Sequence, residues 1–494
     1  MRHTTSPCRA LLAPVAFAAM LLALVPSPAR AQERRPSVLL IVTDDQRWDT
    51  LWSMPQVKRL LVDRGVSFSN SFVSSPLCCP SRASILTGAY PHTTGVYTQG
   101  LPNGGFKKFN DTTTIATVLH DAGYRTGFFG KYLDSYQSGA NAGYVPPGWD
   151  RWMAFVHSQF FDYGLTIDGA VKRFGSSPED YSTDVLAERT DAFIRRTGGP
   201  FFAIFAPAAP HAPATPDPPD AGLFSDLPPW SPPSFNEADV SDKPFDVAHL
   251  HRLTPGDIAG LEELRRDQYR SLQAVDRAVA GLIDALADTG RLEDTLVIFT
   301  SDNGLLWGEH RWQKKEMPYE EAIRVPLVIR DDAVVADAPR SEDRLVGNID
   351  LAPTIAELAG TDLPKAEGKS LLPLLAGERV RWRHALLVEH MKMTNPVPTY
   401  CAVRTDRYLF ATYVTGEEEL YDLAEDPYEL VNLAGRRPPL QARLATTLRS
   451  LCDPPPLGLR GQVGALATIL GVAAVVALAA AARVALVRSG RRRG

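Results

Sequence analysis

Residues 37–45 read SVLLIVTDD: seven residues suited to a strand, then two carboxylates. A run that is apolar at consecutive rather than alternate positions is a strand buried on both faces. Two further stretches have the same form. Phe201–Phe205 runs into a proline-rich loop holding His211, and Thr295–Thr300 (TLVIFT) runs into Ser301-Asp302-Asn303-Gly304. Helical periods lie between them, clearest at Leu261, Leu264, Leu272, Val275, Val279, Leu282 and Leu286, with Gly290 placed to end the helix. Strands alternating with helices predict an α/β fold with a large, mainly parallel sheet between helices. In such sheets the ligand sits beyond the carboxyl ends of the strands. The polar residues just named stand there.

Ten of the 40 prolines fall between Pro207 and Pro233, which predicts a long surface loop near that rim. After about residue 380 the pattern changes to short β-type runs (Ala385–Val388, Tyr400–Arg404, Tyr408–Tyr413) and a helix near Pro439–Leu451. A small α+β subdomain over 381–452 is expected beside a main domain of 36–380. Cys401 and Cys452 both fall in this subdomain and are expected to pair if the chain is exported.

The two ends bear on location. Residues 1–31 carry Arg2 and Arg9, an apolar run from Leu11 to Val25, and Ala29-Arg30-Ala31, the order of a secretory signal peptide; an uncleaved anchor is the alternative. The uncharged run 463–482 has the length of a bilayer span, and Arg483, Arg488 and Arg491–Arg493 in the 483–494 tail place that tail in the cytoplasm. Its many alanines leave a buried helix as the other reading. An exported body at the cell surface, held by this transmembrane helix, is the expectation.

Composition excludes some functions. With 52 Lys+Arg against 57 Asp+Glu the net charge is -5, so no nucleic-acid partner is expected. Hydrophobic residues at 45% and charged residues at 22% exclude a disordered chain, and five cysteines are too few for a disulfide scaffold.

Asp44, Asp45, Asp302 and Asn303 converge on one rim as hard oxygen donors, which suit Ca²⁺ or Mg²⁺ better than Zn²⁺. The sharper signal is Cys78-Cys79-Pro80-Ser81-Arg82-Ala83-Ser84-Ile85-Leu86-Thr87-Gly88. Pro80 suits a first helical turn and Gly88 a helix end, so Cys78 is expected at a positive helix N-terminus with Arg82 one turn on. Three residues separate Cys78 from Arg82, too few for a tyrosine-phosphatase loop, and adjacent cysteines lack zinc-site spacing.

Cys78-x-Pro80-Ser81-Arg82-x₄-Thr87-Gly88 resembles the sulfatase signature, whose first cysteine is oxidised to Cα-formylglycine. The similarity continues through Asp44-Asp45, Gly130-Lys131, Pro210-His211-Ala212-Pro213, Ser301-Asp302-Asn303-Gly304, Lys315-x₃-Tyr319-Glu320, Val325-Pro326-Leu327, Asp350-Leu351-Ala352-Pro353-Thr354, Gly368-Lys369-Ser370-Leu371 and Glu419–Leu423. It covers about residues 36 to 435, in order. The resemblance implies an alkaline-phosphatase-like α/β sandwich and a formylglycine-generating enzyme as partner. It implies Ca²⁺ (or Mg²⁺) held by Asp44, Asp45, Asp302, Asn303 and residue 78. Arg82, Lys131 and Lys315 would stabilise charge on a sulfuryl group, and His211 would act as general acid.

One departure stands out: Gly130-Lys131-Tyr132-Leu133 has leucine where many sulfatases have a histidine that helps restore the aldehyde. That pattern, with Leu77–Arg82 and Tyr90-Pro91-His92, is similar to the N-acetylglucosamine-6-sulfatase branch. His92 is then a candidate substrate contact, or a structural turn histidine. The substrate expected is a sulfated saccharide such as 6-sulfated N-acetylglucosamine of a glycosaminoglycan. The rivals are an arylsulfatase or choline-sulfatase, a phosphodiesterase or phosphonate hydrolase of the superfamily, and an inactive sugar-binding homologue.

Overall fold

A computed structural model describes residues 35–137, 143–335, 337–393 and 396–459. The first run forms strand β1 (Ser37–Thr43), buried at every position. Val38, Leu40 and Val42 face one apolar layer, and Leu39 and Ile41 face the other. Each such side chain removed from water contributes roughly 1.5–3 kcal/mol. Both faces of the strand therefore hold it in the middle of the sheet.

The sheet has ten strands: β1, β2 (Val66–Phe68), β3 (Arg125–Gly130), β4 (Arg151–Phe155), β5 (Gly164–Ile167), β6 (Ala170–Arg173), β7 (Phe201–Ala206), β8 (Thr295–Ser301), β9 (Leu327–Arg330) and β10 (Arg340–Glu342). Their spatial order is β10-β2-β9-β8-β1-β7-β3-β4-β5-β6. β1 pairs in parallel with β7 and β8, and β3 in parallel with β7 and β4. β9 runs antiparallel to β8 and β2, and β5 antiparallel to β4 and β6, so the sheet is mainly parallel, as expected. Thr43 lies opposite Ser301, which brings Asp44 and Asp302 out of the sheet side by side.

Helix α1 (Cys78–Thr87) belongs to one layer, with α4 (Leu351–Leu358). Helices α2 (Ser182–Arg196) and α3 (Pro255–Asp288) form the other. The predicted leucine period falls on α3, where Thr254 caps the first turn through Asp257 and Gly290 follows the last at φ 67°. The sandwich architecture is the one expected.

The C-terminal part is a four-stranded antiparallel sheet, β11 (Ala385–His390), β12 (Tyr400–Thr405), β13 (Tyr408–Tyr413) and β14 (Glu418–Asp422), covered by helix α5 (Pro438–Leu451). Cys401 on β12 is bonded to Cys452 just after α5. Among the described residues no helix is long and apolar enough to cross a membrane. The expected leader at 1–31 and the 463–482 run lie outside the described residues.

Candidate functional site

Asp45 follows β1 with a left-handed backbone, φ 65°, which few residues but Gly, Asn and Asp accept. Its N–H donates to Asp302 Oδ1 at 3.1 Å, and Asn303 Nδ2 donates to Asp45 Oδ1 at 2.6 Å. The ends of β1 and β8 are thus tied by the side chains they carry. Asn303 Oδ1 is buried and accepts no hydrogen bond. A buried carbonyl oxygen without a donor fits a bound cation. With Asp44, Asp45 and Asp302 beside it, the oxygen set fits Ca²⁺ or Mg²⁺.

Helix α1 enters the same rim. Its residues are all buried except Thr87. Gly88 ends the helix at φ 69°, where a Cβ would meet Pro353 Cδ at 2.8 Å. Cys79 N–H donates to Gln99 Oε1 at 2.8 Å, a partner no local signal announces. Cys78 Sγ lies 3.5 Å from Asp44 Oδ1 and receives a hydrogen bond from Lys315 Nζ at 2.8 Å. Burial pushes the Cys78 thiol well up against the pull of Lys131 and Lys315. An unmodified thiol here is protonated and a poor nucleophile.

The bases are anchored as firmly as the acids. Arg82 Nε donates to Asp302 Oδ2 at 2.7 Å and a terminal nitrogen to the Lys131 carbonyl at 2.7 Å; the other terminal nitrogen is buried without a hydrogen-bond partner. Lys131 follows β3 and pairs with Asp44, while Lys315 pairs with Asp45. Gly130 admits no side chain, since a Cβ would stand 1.8 Å from the Ala206 carbonyl oxygen. Burial alone would raise the Asp44 carboxyl; Lys131, His211 and Arg82 outweigh it and hold the group at about 2. Burial opposes the charge on Lys131 and Lys315, and Asp44 and Asp45 restore it.

His211 Nε2 stands 3.7 Å from Asp45 Oδ2, and its Nδ1 donates to the Ala212 carbonyl at 2.7 Å, which fixes the ring. Asp44, Asp45, Cys78 and His211 each bring a ligating atom within 4.8 Å of the others. The structure thus gathers Asp44, Asp45, Cys78, Arg82, Lys131, His211, Asp302, Asn303 and Lys315. His92 has other contacts: Nδ1 meets Glu389 at 2.9 Å, Nε2 meets Glu367 at 3.3 Å, and the ring stacks on Tyr90. Leu133 is packed in the apolar layer beside α1. Asp350 serves packing, accepting from Gly347 N–H, Lys369 N–H and both ends of the Arg383 guanidinium.

Known proteins resemble this chain over most of its length. Residues 36–361 match the family described as Sulfatase, and residues 308–452 match N-sulphoglucosamine sulphohydrolase, C-terminal. Human N-acetylglucosamine-6-sulfatase is 34% identical over 454 residues, covering 82% of each chain. The extracellular sulfatase SULF-1 homolog of Drosophila melanogaster is 34% identical over 376 residues, 73% of this chain. The chain spans 33% of that relative's length. A solved structure in complex with its substrate D-glucosamine-2-N,6-O-disulfate shares the fold at a TM-score of 0.74, with 23% identity, covering 85% of this chain and 98% of that one. The family match runs from β1 past α4 and takes in every residue gathered at the rim. This chain belongs to the sulfatase family.

Proposed function

We propose that this protein hydrolyses sulfate esters on a sulfated sugar, with 6-sulfated N-acetylglucosamine in a glycosaminoglycan as the substrate class. The observation that carries the reading is Cys78, set at the start of α1 among three carboxylates and three fixed bases. Residue 78, once oxidised to formylglycine, supplies a hydrated aldehyde as oxygen nucleophile and a second hydroxyl for sulfate release. Asp44, Asp45, Asp302 and Asn303 are proposed to hold Ca²⁺, which supplies Lewis acidity toward the sulfuryl oxygens.

The chain's own groups do the rest. Arg82 offers the terminal N–H groups that make no hydrogen bond, 3.9 Å from Asp44 Oδ2, to a sulfuryl oxygen while its other nitrogens stay fixed. Lys131 and Lys315, kept protonated by carboxylates, are donors rather than bases. With Leu133 inert, His211 Nε2 is assigned both proton transfers, to the leaving sugar oxygen and from the rim on release, because imidazole suits either direction. His92 is proposed to act only at one remove, since Glu389 and Glu367 hold both its ring nitrogens. The human relative's name supports the sugar, and the fly relative's name supports export. The 463–482 run is the proposed anchor.

The test is a panel of sulfated saccharides, aryl sulfates, choline sulfate and phosphonate esters given to the full chain after mass-spectrometric analysis of residue 78. Turnover of 6-sulfated N-acetylglucosamine by formylglycine-bearing protein is expected. Preferred turnover of aryl sulfate or phosphonate would replace the substrate assignment, and full activity with an intact Cys78 thiol would overturn the mechanism.

A further inference from the structure

A second group of ligating side chains lies where the main body meets the C-terminal sheet. It takes His310 from the turn after β8, Glu321 from the segment before β9, and Glu429 from the loop after β14. One ligating atom of each lies within 4.8 Å of the others. All three are buried: His310 0%, Glu321 8% and Glu429 1% exposed. His310 Nε2, Glu321 Oε2 and Glu429 Oε1 each lack a hydrogen-bond partner.

Their neighbours sharpen the point. His310 Nδ1 lies 2.6 Å from Glu237 Oε2. The carboxylate makes Nδ1 the donor, and Nε2 faces the cluster. Among the described residues neither Glu321 nor Glu429 has an ion pair; nearby Arg47 is spent on Asp49 and Glu309, and Arg404 on Glu320. Three buried ligating groups thus face one another, each with an atom that makes no hydrogen bond. A buried charge must be paired, neutralised or bound to a metal.

We propose that His310, Glu321 and Glu429 form a buried site for a first-row divalent cation of the Zn²⁺ type, oriented by Glu237. One imidazole nitrogen with two carboxylates suits such an ion, whereas Ca²⁺ favours an all-oxygen set. Glu237 is the outer carboxylate that commonly fixes a ligating histidine. Glu321 also lines an open cleft of about 920 Å³ with Arg47, Trp230 and Arg404, which gives the ion a way in. Burial and the neighbouring carboxylates push the carboxyls of Glu321 and Glu429 up, so a cation bound there would displace the protons they hold. The ion would tie the segment carrying Lys315 and Tyr319 to the C-terminal sheet.

The experiment uses the full chain, stripped with chelator, incubated with zinc chloride and freed of excess by gel filtration before elemental analysis. About one zinc per chain should remain, held also by an Asp302→Ala chain whose rim is depleted of ligands. That arm separates this site from the proposed catalytic one. Glu321→Gln and Glu429→Gln should each weaken retention at least tenfold, and Glu237→Gln should weaken it less. Should those variants fail to fold, zinc should still raise the Tm of the unaltered protein by roughly 3 °C at a hundredfold excess over Kd. Zinc lost from the unaltered protein, zinc kept by the double glutamine variant, or a double variant more stable than the parent and indifferent to zinc would each overturn the site. The last would identify a proton-sharing acid pair.

Discussion

The proposed catalytic rim and the buried junction beside the C-terminal sheet use the same chemical groups under opposite rules. At the rim each carboxylate has its base: Asp44 has Lys131, Asp45 has Lys315 and Asp302 has Arg82. At the junction Glu321 and Glu429 have none among the described residues, and His310 turns toward them a nitrogen that makes no hydrogen bond. The rim therefore suits an added anion, whereas the junction suits an added cation. The difference teaches that buried acids alone say little; the partner each one has, or lacks, decides the chemistry.

The contrast breaks most sharply at residue 78. Cys78→Ala should lower turnover on the order of 10⁴-fold or more, because no other side chain supplies the nucleophile. Cys79→Ser should leave most activity, since Cys79 Sγ faces Asp134 N–H and the Gln99 carbonyl rather than the rim carboxylates. Initial rates on a sulfated monosaccharide, normalised to formylglycine content, decide it; equal losses in both variants would blur the rim into mere packing.

Next in size is the metal set of the rim. Asp302→Ala removes a proposed ligand, the Arg82 clamp and the Asp45 N–H acceptor together. Turnover should fall by about 10²–10³-fold or more with loss of bound Ca²⁺. Calcium retained at full stoichiometry would mean that the rim carboxylates serve only their bases.

On the junction side, the Cys401–Cys452 bond closes a separation of 51 residues. It constrains the unfolded chain by about 4 kcal/mol. The double serine variant should melt earlier while keeping its rate per folded molecule, read by calorimetry alongside the assay. A fall in rate instead would show that the C-terminal sheet shapes the rim.

The smallest effect is a pH dependence. Burial disfavours charged His92, but hydrogen bonds to Glu367 and Glu389 win and raise it from 6.5 to about 10. A group raised in the folded state stabilises fully below its unfolded value and loses that contribution as pH climbs through the folded one. Stability should therefore decline between pH 6.5 and about 10 by about 1–2 kcal/mol, allowing for solvent screening. His92→Ala should flatten that part of the denaturation profile; a changed KM with an unchanged profile would restore His92 as a substrate contact.

How far the sequence could be read follows the same division. Asp44, Asp45, Lys131 and Asp302 were legible because they follow apolar runs, and a mainly parallel sheet puts such ends on one rim. Cys78 and Arg82 share one helix, so their spacing of four is itself geometry. His92 was legible as a residue but not as a contact, because Glu389 lies 297 positions away. Glu237, His310, Glu321 and Glu429 come from four separate segments with no shared period. A bridge between Phe235 and Glu309 joins the first two, and the docking of the C-terminal sheet adds Glu429.

The burial of α1 also has a consequence in time. From Cys78 to Leu86 every residue is sealed in the finished protein, and the thiol itself has no exposed surface. An enzyme that must grip this segment to oxidise residue 78 can do so only while the chain is still open. On the proposed mechanism the yield of competent protein is then set by a race between oxidation and folding. Slower folding would give the modifying enzyme longer, so a destabilised variant can carry more formylglycine than a robust one.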